Sequence, residues 1–138
     1  MSYINFKAVT TLESTHDIFV NAKNIKYVEV SHKRQIGKSL IHMIGTADLI
    51  AVDTPFQEIP GLLPSLTREN LPNTSGEPDY EGSIVYVNPV HANSVVPLKE
   101  MFVVRFTDGE ELTLRSRPAF LSYQIAPKTL TLEAAPAV

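Results

Sequence analysis

Apolar and polar positions alternate along much of this chain with a period of two, the mark of half-buried β-strands rather than helices. In the first half, Ile18-Phe19-Val20-Asn21, Ile25-Lys26-Tyr27-Val28-Glu29-Val30, Ser39-Leu40-Ile41-His42-Met43-Ile44 and Leu49-Ile50-Ala51-Val52 read as strands. In the second, Val85-Tyr86-Val87-Asn88, Ser94-Val95-Val96, Met101-Phe102-Val103-Val104-Arg105-Phe106 and Glu111-Leu112-Thr113-Leu114-Arg115 do. Each series opens with a strand that ends at Asn, a residue that tolerates turn geometry and bonds its own backbone. Each closes on a Pro behind a capping-type residue, Asp53-Thr54-Pro55 and Ser116-Arg117-Pro118, where a short helix can start.

The same order occurring twice predicts an internal duplication. The Asn pair is offset by 67 positions and the Pro pair by 63, so the first copy carries four extra residues, which fit the polar loop 31–38. The expected fold class is α+β, mainly antiparallel β. Two divergent copies of a strand–turn–strand–hairpin–short-helix unit pack as one domain. The first copy spans 1–62, a Pro/Gly-rich connector with a short helical turn at 65–70 spans 63–82, and the second copy spans 83–138. A strand at Thr129-Leu130-Thr131-Leu132 is expected after the second copy.

Asp108-Gly109 between two alternating runs asks for a two-residue hairpin turn of type I′. That turn sets Arg105 opposite Leu112 and Phe102 opposite Arg115, with Phe102, Val104, Phe106, Thr113 and Arg115 sharing a face. A cation is then expected among aromatic rings.

Composition narrows the function. Twelve Lys and Arg against fifteen Asp and Glu in 138 residues leave a net charge of −3, which argues against a polyanion binder driven by net charge. The absence of Cys excludes disulfides, thiolate metal sites and a cysteine nucleophile, and suits a reducing compartment. The N-terminus shows no signal-peptide pattern, and the apolar stretch Leu40 to Val52 is too short for a membrane span, so a cytoplasmic location is expected.

Catalytic motifs are not found. Gly37-Lys38-Ser39 resembles the end of a phosphate loop, but the required upstream Gly is His32 and no long helix follows. His16, His32, His42 and His91 show no ligand spacing, so neither metal nor cofactor is expected. No Gly-x-Ser-x-Gly elbow is present, and Glu110-Glu111 sits at a hairpin where water keeps carboxylates ordinary. The chain reads as a non-enzyme.

What remains suits an anionic, ring-bearing ligand. Arg115 and Arg117, with Arg105, can read phosphate oxygens, and Arg117 stands at a helix start. Phe102, Phe120 and Tyr86 offer faces for a base, with Phe106 nearby. Asn88, His91 and Asn93 offer donors and acceptors for a base edge or ribose.

Val85-Tyr86-Val87-Asn88-Pro89 with its hairpin resembles the FlbD-like module of flagellar regulators, over about fifty residues of each copy. That resemblance implies a protein-interaction or regulatory module. In architecture and size the chain also resembles the phage anti-Thoeris proteins, which bind cyclic ADP-ribose-type signals between subunits. This second resemblance implies sequestration of a cyclic nucleotide signal without chemistry, antagonising bacterial anti-phage defence. It further implies a homo-oligomer in a host cytoplasm, holding the signal near the subunit interface by aromatics, Asn and Arg. The partner expected from the sequence is thus a small signalling nucleotide, with neither nucleic acid nor membrane. Direct contact with DNA is disfavoured, because Lys33-Arg34 with Lys38 is a short basic run in an acidic chain.

Overall fold

Alternation becomes pairing in two antiparallel sheets, seen in a computed structural model that describes residues 3–11, 14–31, 37–72 and 81–121. The strands are β1 Tyr3–Thr11, β2 Ser14–Asn21, β3 Ile25–Val30, β4 Ser39–Met43 and β5 Leu49–Val52, then β6 Thr67–Asn70, β7 Ile84–Val87, β8 Ala92–Leu98, β9 Met101–Phe106 and β10 Glu111–Leu114. Seven form a sheet in the order β2-β1-β5-β4-β3-β7-β6, and three form a second in the order β10-β9-β8. Among the described residues helix is confined to α1, Ile59–Leu62, and single 3₁₀ turns. The mainly antiparallel α+β class is therefore the observed one.

The large sheet is apolar on both faces where it is covered. Phe6, Val20, Val28, Ile41, Val52 and Tyr86 meet Phe56, Ile59, Leu63 and Leu66 from the turn and helix after β5. On the other face Tyr27, Val85 and Val87 meet Val104, Phe106 and Leu114 of the small sheet, with Phe120. Burying each such aliphatic side chain is worth about 1.5–3 kcal/mol, so these two contacts hold the layers together.

The Asn-ended strands do what their sequence predicts. Asn21 Oδ1 accepts from the Lys23 N–H at 3.1 Å and caps a 3₁₀ turn at Ala22–Asn24. Asn88 Oδ1 accepts from the Val90 N–H at 3.4 Å and caps the 3₁₀ turn Pro89–His91. A three-stranded meander follows each turn, β3-β4-β5 and β8-β9-β10, and a 3₁₀ turn follows each meander. The pairing differs, because β7 lies between β3 and β6 while β2 is an edge strand.

Three sequence readings change. Within the stretch read as connector, Thr67–Asn70 is extended and pairs with β7 instead of turning helically. The Asp108-Gly109 turn is one residue longer than expected. Gly109 N donates to Phe106 O and Phe106 N to Glu110 O, both at 2.9 Å, with Gly109 at φ +92°. A three-residue loop with Gly at the left-handed position slips the register by one. Arg105 is therefore opposite Glu111 and Phe102 opposite Leu114. Thr113 and Arg115 move to the face away from Phe102, Val104 and Phe106. The expected strand at 129–132 and most of the 31–38 loop lie outside the described residues.

Candidate functional site

The nine residues expected to hold a ligand are not gathered around a hollow. Phe120 and Tyr86 are buried in opposite cores, Tyr86 with its ring centroid 5.0 Å from that of Phe56. Phe102 packs against the small-sheet core. Asn88 is buried and spends its amide on the backbone, accepting from Val90 and donating from Nδ2 to Ile25 O at 3.0 Å. The His91 ring nitrogen Nε2 bonds the Lys23 carbonyl. Asn93 is exposed. Arg105 Nε lies 3.0 Å from Glu111 Oε2, both on the outer surface. Arg115 and Arg117 are exposed and point to solvent rather than to the aromatic core. The register slip is the cause, since it turns the guanidinium of Arg115 away from the rings. Gly37-Lys38-Ser39 is also spent on structure, with Lys38 Nζ 3.6 Å from Asp53 and Ser39 Oγ donating to Thr54 O at 2.7 Å.

A charged cluster that the sequence reading missed joins the two sheets. A bulge between Ile25 and Tyr27 in β3 turns consecutive side chains, Lys26 and Tyr27, toward the small sheet. The Lys26 ammonium is 5.7 Å from the Phe106 ring centroid, and the Tyr27 ring stacks at 5.8 Å on the same ring. Lys26 Nζ reaches Asp108 Oδ2 at 2.9 Å and also bonds Glu110 Oε1, while its side chain is 2% exposed. Asp108 Oδ2 accepts from the Gly45 N–H at 2.9 Å, and Oδ1 from the Glu110 N–H at 3.0 Å. Burial alone would raise the Asp108 carboxyl, but the bonds from Gly45, Lys26 and Glu110 outweigh it and hold it down at about 2. A hollow of about 340 Å³ beside this cluster is lined by Lys26, Gly45, Thr46, Ala47, Asp108 and Glu110. The Lys26 ammonium and the Gly45 and Glu110 N–H groups all donate within the cluster, so it acts as a clasp between the β4–β5 and β9–β10 turns. A cation within an otherwise apolar strand was the signal that could have found it.

A second cluster forms where the two sheets meet edge to edge. Arg115 N donates to Asn70 O at 2.7 Å, and Asn70 Nδ2 lies 3.1 Å from Ser116 Oγ. The buried Glu69 carboxylate accepts from the Ala119 N–H and the Thr67 hydroxyl, each at 2.7 Å. These bonds run the 115–119 segment along β6, the strand that carries Arg68, so the three arginines stand on two neighbouring backbone segments. Arg68 stands two residues before Asn70 on β6, about 7 Å along the strand. All three arginines are exposed, and none forms an ion pair among the described residues. Exposed Lys7, Lys38 and Arg105, by contrast, each face a carboxylate. Guanidinium groups left free in this way can bind oxyanions bidentately. Arg68 lay inside the presumed connector and carried no motif, so nothing in the sequence tied it to the other two.

Among the described residues no helix is long and apolar enough to cross a membrane. No protein-family model and no curated protein matches the chain. Among solved structures the fold is similar to a LytTr DNA-binding domain from Bacillus cereus, described as part of a methyl-accepting/DNA response regulator. The TM-score is 0.53 at 18% identity, over 90% of this chain and 94% of that one. The likeness is one of fold. It overturns the partner set expected from the sequence, a small signalling nucleotide with nucleic acid excluded, because a domain that binds DNA has this architecture. The dispersal of the rings into two cores agrees with the correction.

Proposed function

We propose that this chain is a non-catalytic nucleic-acid-binding module that contacts the phosphate backbone of DNA through Arg68, Arg115 and Arg117. The observation that carries the proposal is the bonding of the 115–119 segment to β6, which sets three exposed arginines, none ion-paired among the described residues, on adjoining segments. The fold shared with a LytTr DNA-binding domain supports the same reading. The acidic balance of the whole chain does not oppose it, because recognition depends on the local field. Among the described residues Lys7, Lys26, Lys38 and Arg105 already face carboxylates, and Lys23 and Lys99 stand singly, so this seam carries the largest group of unneutralised cations.

Titration of a fluorescently labelled duplex against the protein, at several salt concentrations, tests the proposal. Three phosphate contacts predict a slope of log K against log salt of about −2.7. The triple variant R68A/R115A/R117A is expected to lose measurable binding while its circular dichroism stays unchanged. Absence of binding at 50 mM salt (roughly the low end of the usual range), or an unchanged slope in the triple variant, would refute the assignment.

A further inference from the structure

The β8–β9 hairpin ends in a feature that neither core uses. Leu98 and Met101 face each other across the ladder and are 54% and 37% exposed. Between them Lys99 and Glu100 make a two-residue turn in which Lys99 adopts φ +49°, a left-handed conformation rarely taken by residues other than Gly, Asn or Asp. Pro97 precedes the pair and fixes the backbone further. Pro97 to Met101 line a surface hollow of about 570 Å³. The turn holds its backbone tightly and leaves these two apolar side chains opposite each other at the surface.

The position of this tip identifies what it can meet. Phe102 pairs with Leu114 at the end of the β9–β10 ladder, and Met101 and Arg115 are the residues that adjoin this last pair on the two chains. Leu98, Met101 and Arg115 thus form a row on one face of the small sheet, and that row runs into the arginine seam. Lys99 and Glu100 cancel at the tip, so the excess charge beside the apolar pair is the cationic charge of the arginines. Of the other exposed apolar side chains, Leu49, Leu62 and Val90 stand on separate elements, and Tyr3 and Phe19 lie on the β1–β2 wing, where Lys7 is already paired with Asp17 at 2.6 Å. An apolar pair adjoining free guanidinium groups complements a partner that places flat apolar faces beside phosphates. Stacked bases do this.

We propose that the β8–β9 tip is an unstacking wedge: Leu98 and Met101 enter a base step of the nucleic acid whose backbone Arg115 and its neighbours hold. This inference rests on the nucleic-acid reading above and adds to it how the duplex is deformed. Leu and Met side chains are suited to the role, because they replace part of the lost stacking surface without competing for hydrogen bonds.

The test uses the full chain and a duplex carrying 2-aminopurine at alternate steps, whose fluorescence rises when the base leaves the stack. The native protein should raise that fluorescence on binding. The variant L98S/M101S should bind with the same salt slope and an affinity within about tenfold, yet give no rise; both residues are exposed, so its melting temperature should hold. Native binding without a fluorescence change overturns the wedge and leaves the arginine contact standing. A rise that persists in L98S/M101S also overturns it. Absence of any binding removes both the wedge and the reading beneath it.

Discussion

Lys26 Nζ lies 2.9 Å from Asp108 Oδ2, joining two residues 82 positions apart that belong to different sheets. This contact, with Glu110 beside it, makes the stacking of the small sheet on the large one depend on charge as well as on the apolar contacts of Tyr27, Val104 and Phe106. Truncating the ammonium leaves Asp108, whose side chain is only 14% exposed, without its main counter-charge. Lys26→Ala should cost about 2–4 kcal/mol, toward the lower end of the range for breaking a buried pair because Glu110 reaches water. Urea unfolding followed by tryptophan-free probes, such as far-ultraviolet circular dichroism, would measure it.

The same clasp sets how stability varies with pH. Asp108 is depressed to about 2 in the folded chain, against an ordinary value of about 3.9 when unfolded. Its contribution is complete above the unfolded value and is lost as pH falls from about 4 toward 2. Asp108→Asn should therefore flatten the acid limb of a stability curve. On the alkaline side, burial and the charges of Glu110, Glu29 and Asp108 raise the Tyr27 hydroxyl. Burial would lower Lys26, but hydrogen bonds from its ammonium to Glu110 and Asp108 reverse the balance and raise it. Both contributions are complete below the unfolded values near 10 and are lost as pH rises through the folded ones. Tyr27→Phe should soften the alkaline loss, as read from the melting temperature above pH 10 (about the free tyrosine value).

How far the fold was legible depended on whether the local signal fixed backbone geometry. Asn21 and Asn88 were readable because a strand ending in Asn satisfies the next turn by itself, and both amides do so. The β9–β10 hairpin was readable as a hairpin but not in register, since Asp-Gly serves two- and three-residue loops alike. That single residue moved Arg115 from the rings to solvent and dissolved the expected site. Lys26 was visible as a cation among apolar neighbours, but its partners lie 82 and 84 positions on, and the bulge aiming it leaves no sequence mark. Arg68 was hidden in a Pro/Gly-rich stretch whose strand exists only because β7 pairs with it.

The two asparagine caps should differ in strength. Asn21 caps from a half-exposed position and makes one bond to the backbone. Asn88 is buried and adds a bond from Nδ2 to Ile25 O, tying β7 to β3. Asn21→Ala should cost about 0.5–1 kcal/mol. Asn88→Ala should cost about 2–3 kcal/mol, because the Ile25 carbonyl is left without that donor as well. Chemical denaturation of both variants would show the order, and equal costs would refute this account of Asn88.

Two glycines with positive φ should separate backbone strain from crowding. Gly109, at φ +92°, has nothing within 4 Å of an added Cβ, whereas at Gly37, φ +88°, the Cβ would lie 3.0 Å from Val52 O. Gly109→Ala should cost only the left-handed conformation, about 1–2 kcal/mol. Gly37→Ala carries that same cost and must also move backbone, because Lys38 N donates to this same Val52 carbonyl at 2.8 Å. Its loss should exceed that of Gly109→Ala by about 1 kcal/mol or more. Comparable losses would mean that the loop bearing Gly37 yields freely around β5.

Arg105 and Arg115 offer a paired test of the arginine seam on one sheet. Both face outward from the small sheet, but Arg105 is neutralised by Glu111 at 3.0 Å while Arg115 has no acidic partner among the described residues. An exposed pair of this kind is worth at most about 1 kcal/mol to the fold, so neither Arg→Ala change should disturb stability much. Their effects on DNA should diverge. Arg115→Ala removes one phosphate contact and should lower the salt slope by about 0.9, whereas Arg105→Ala should leave it unchanged. Glu111→Gln frees Arg105 and should strengthen binding, because the local field becomes more positive by one charge. If Arg105→Ala weakens binding as much as Arg115→Ala does, proximity to the seam and not freedom from a carboxylate is what selects the contacting cations.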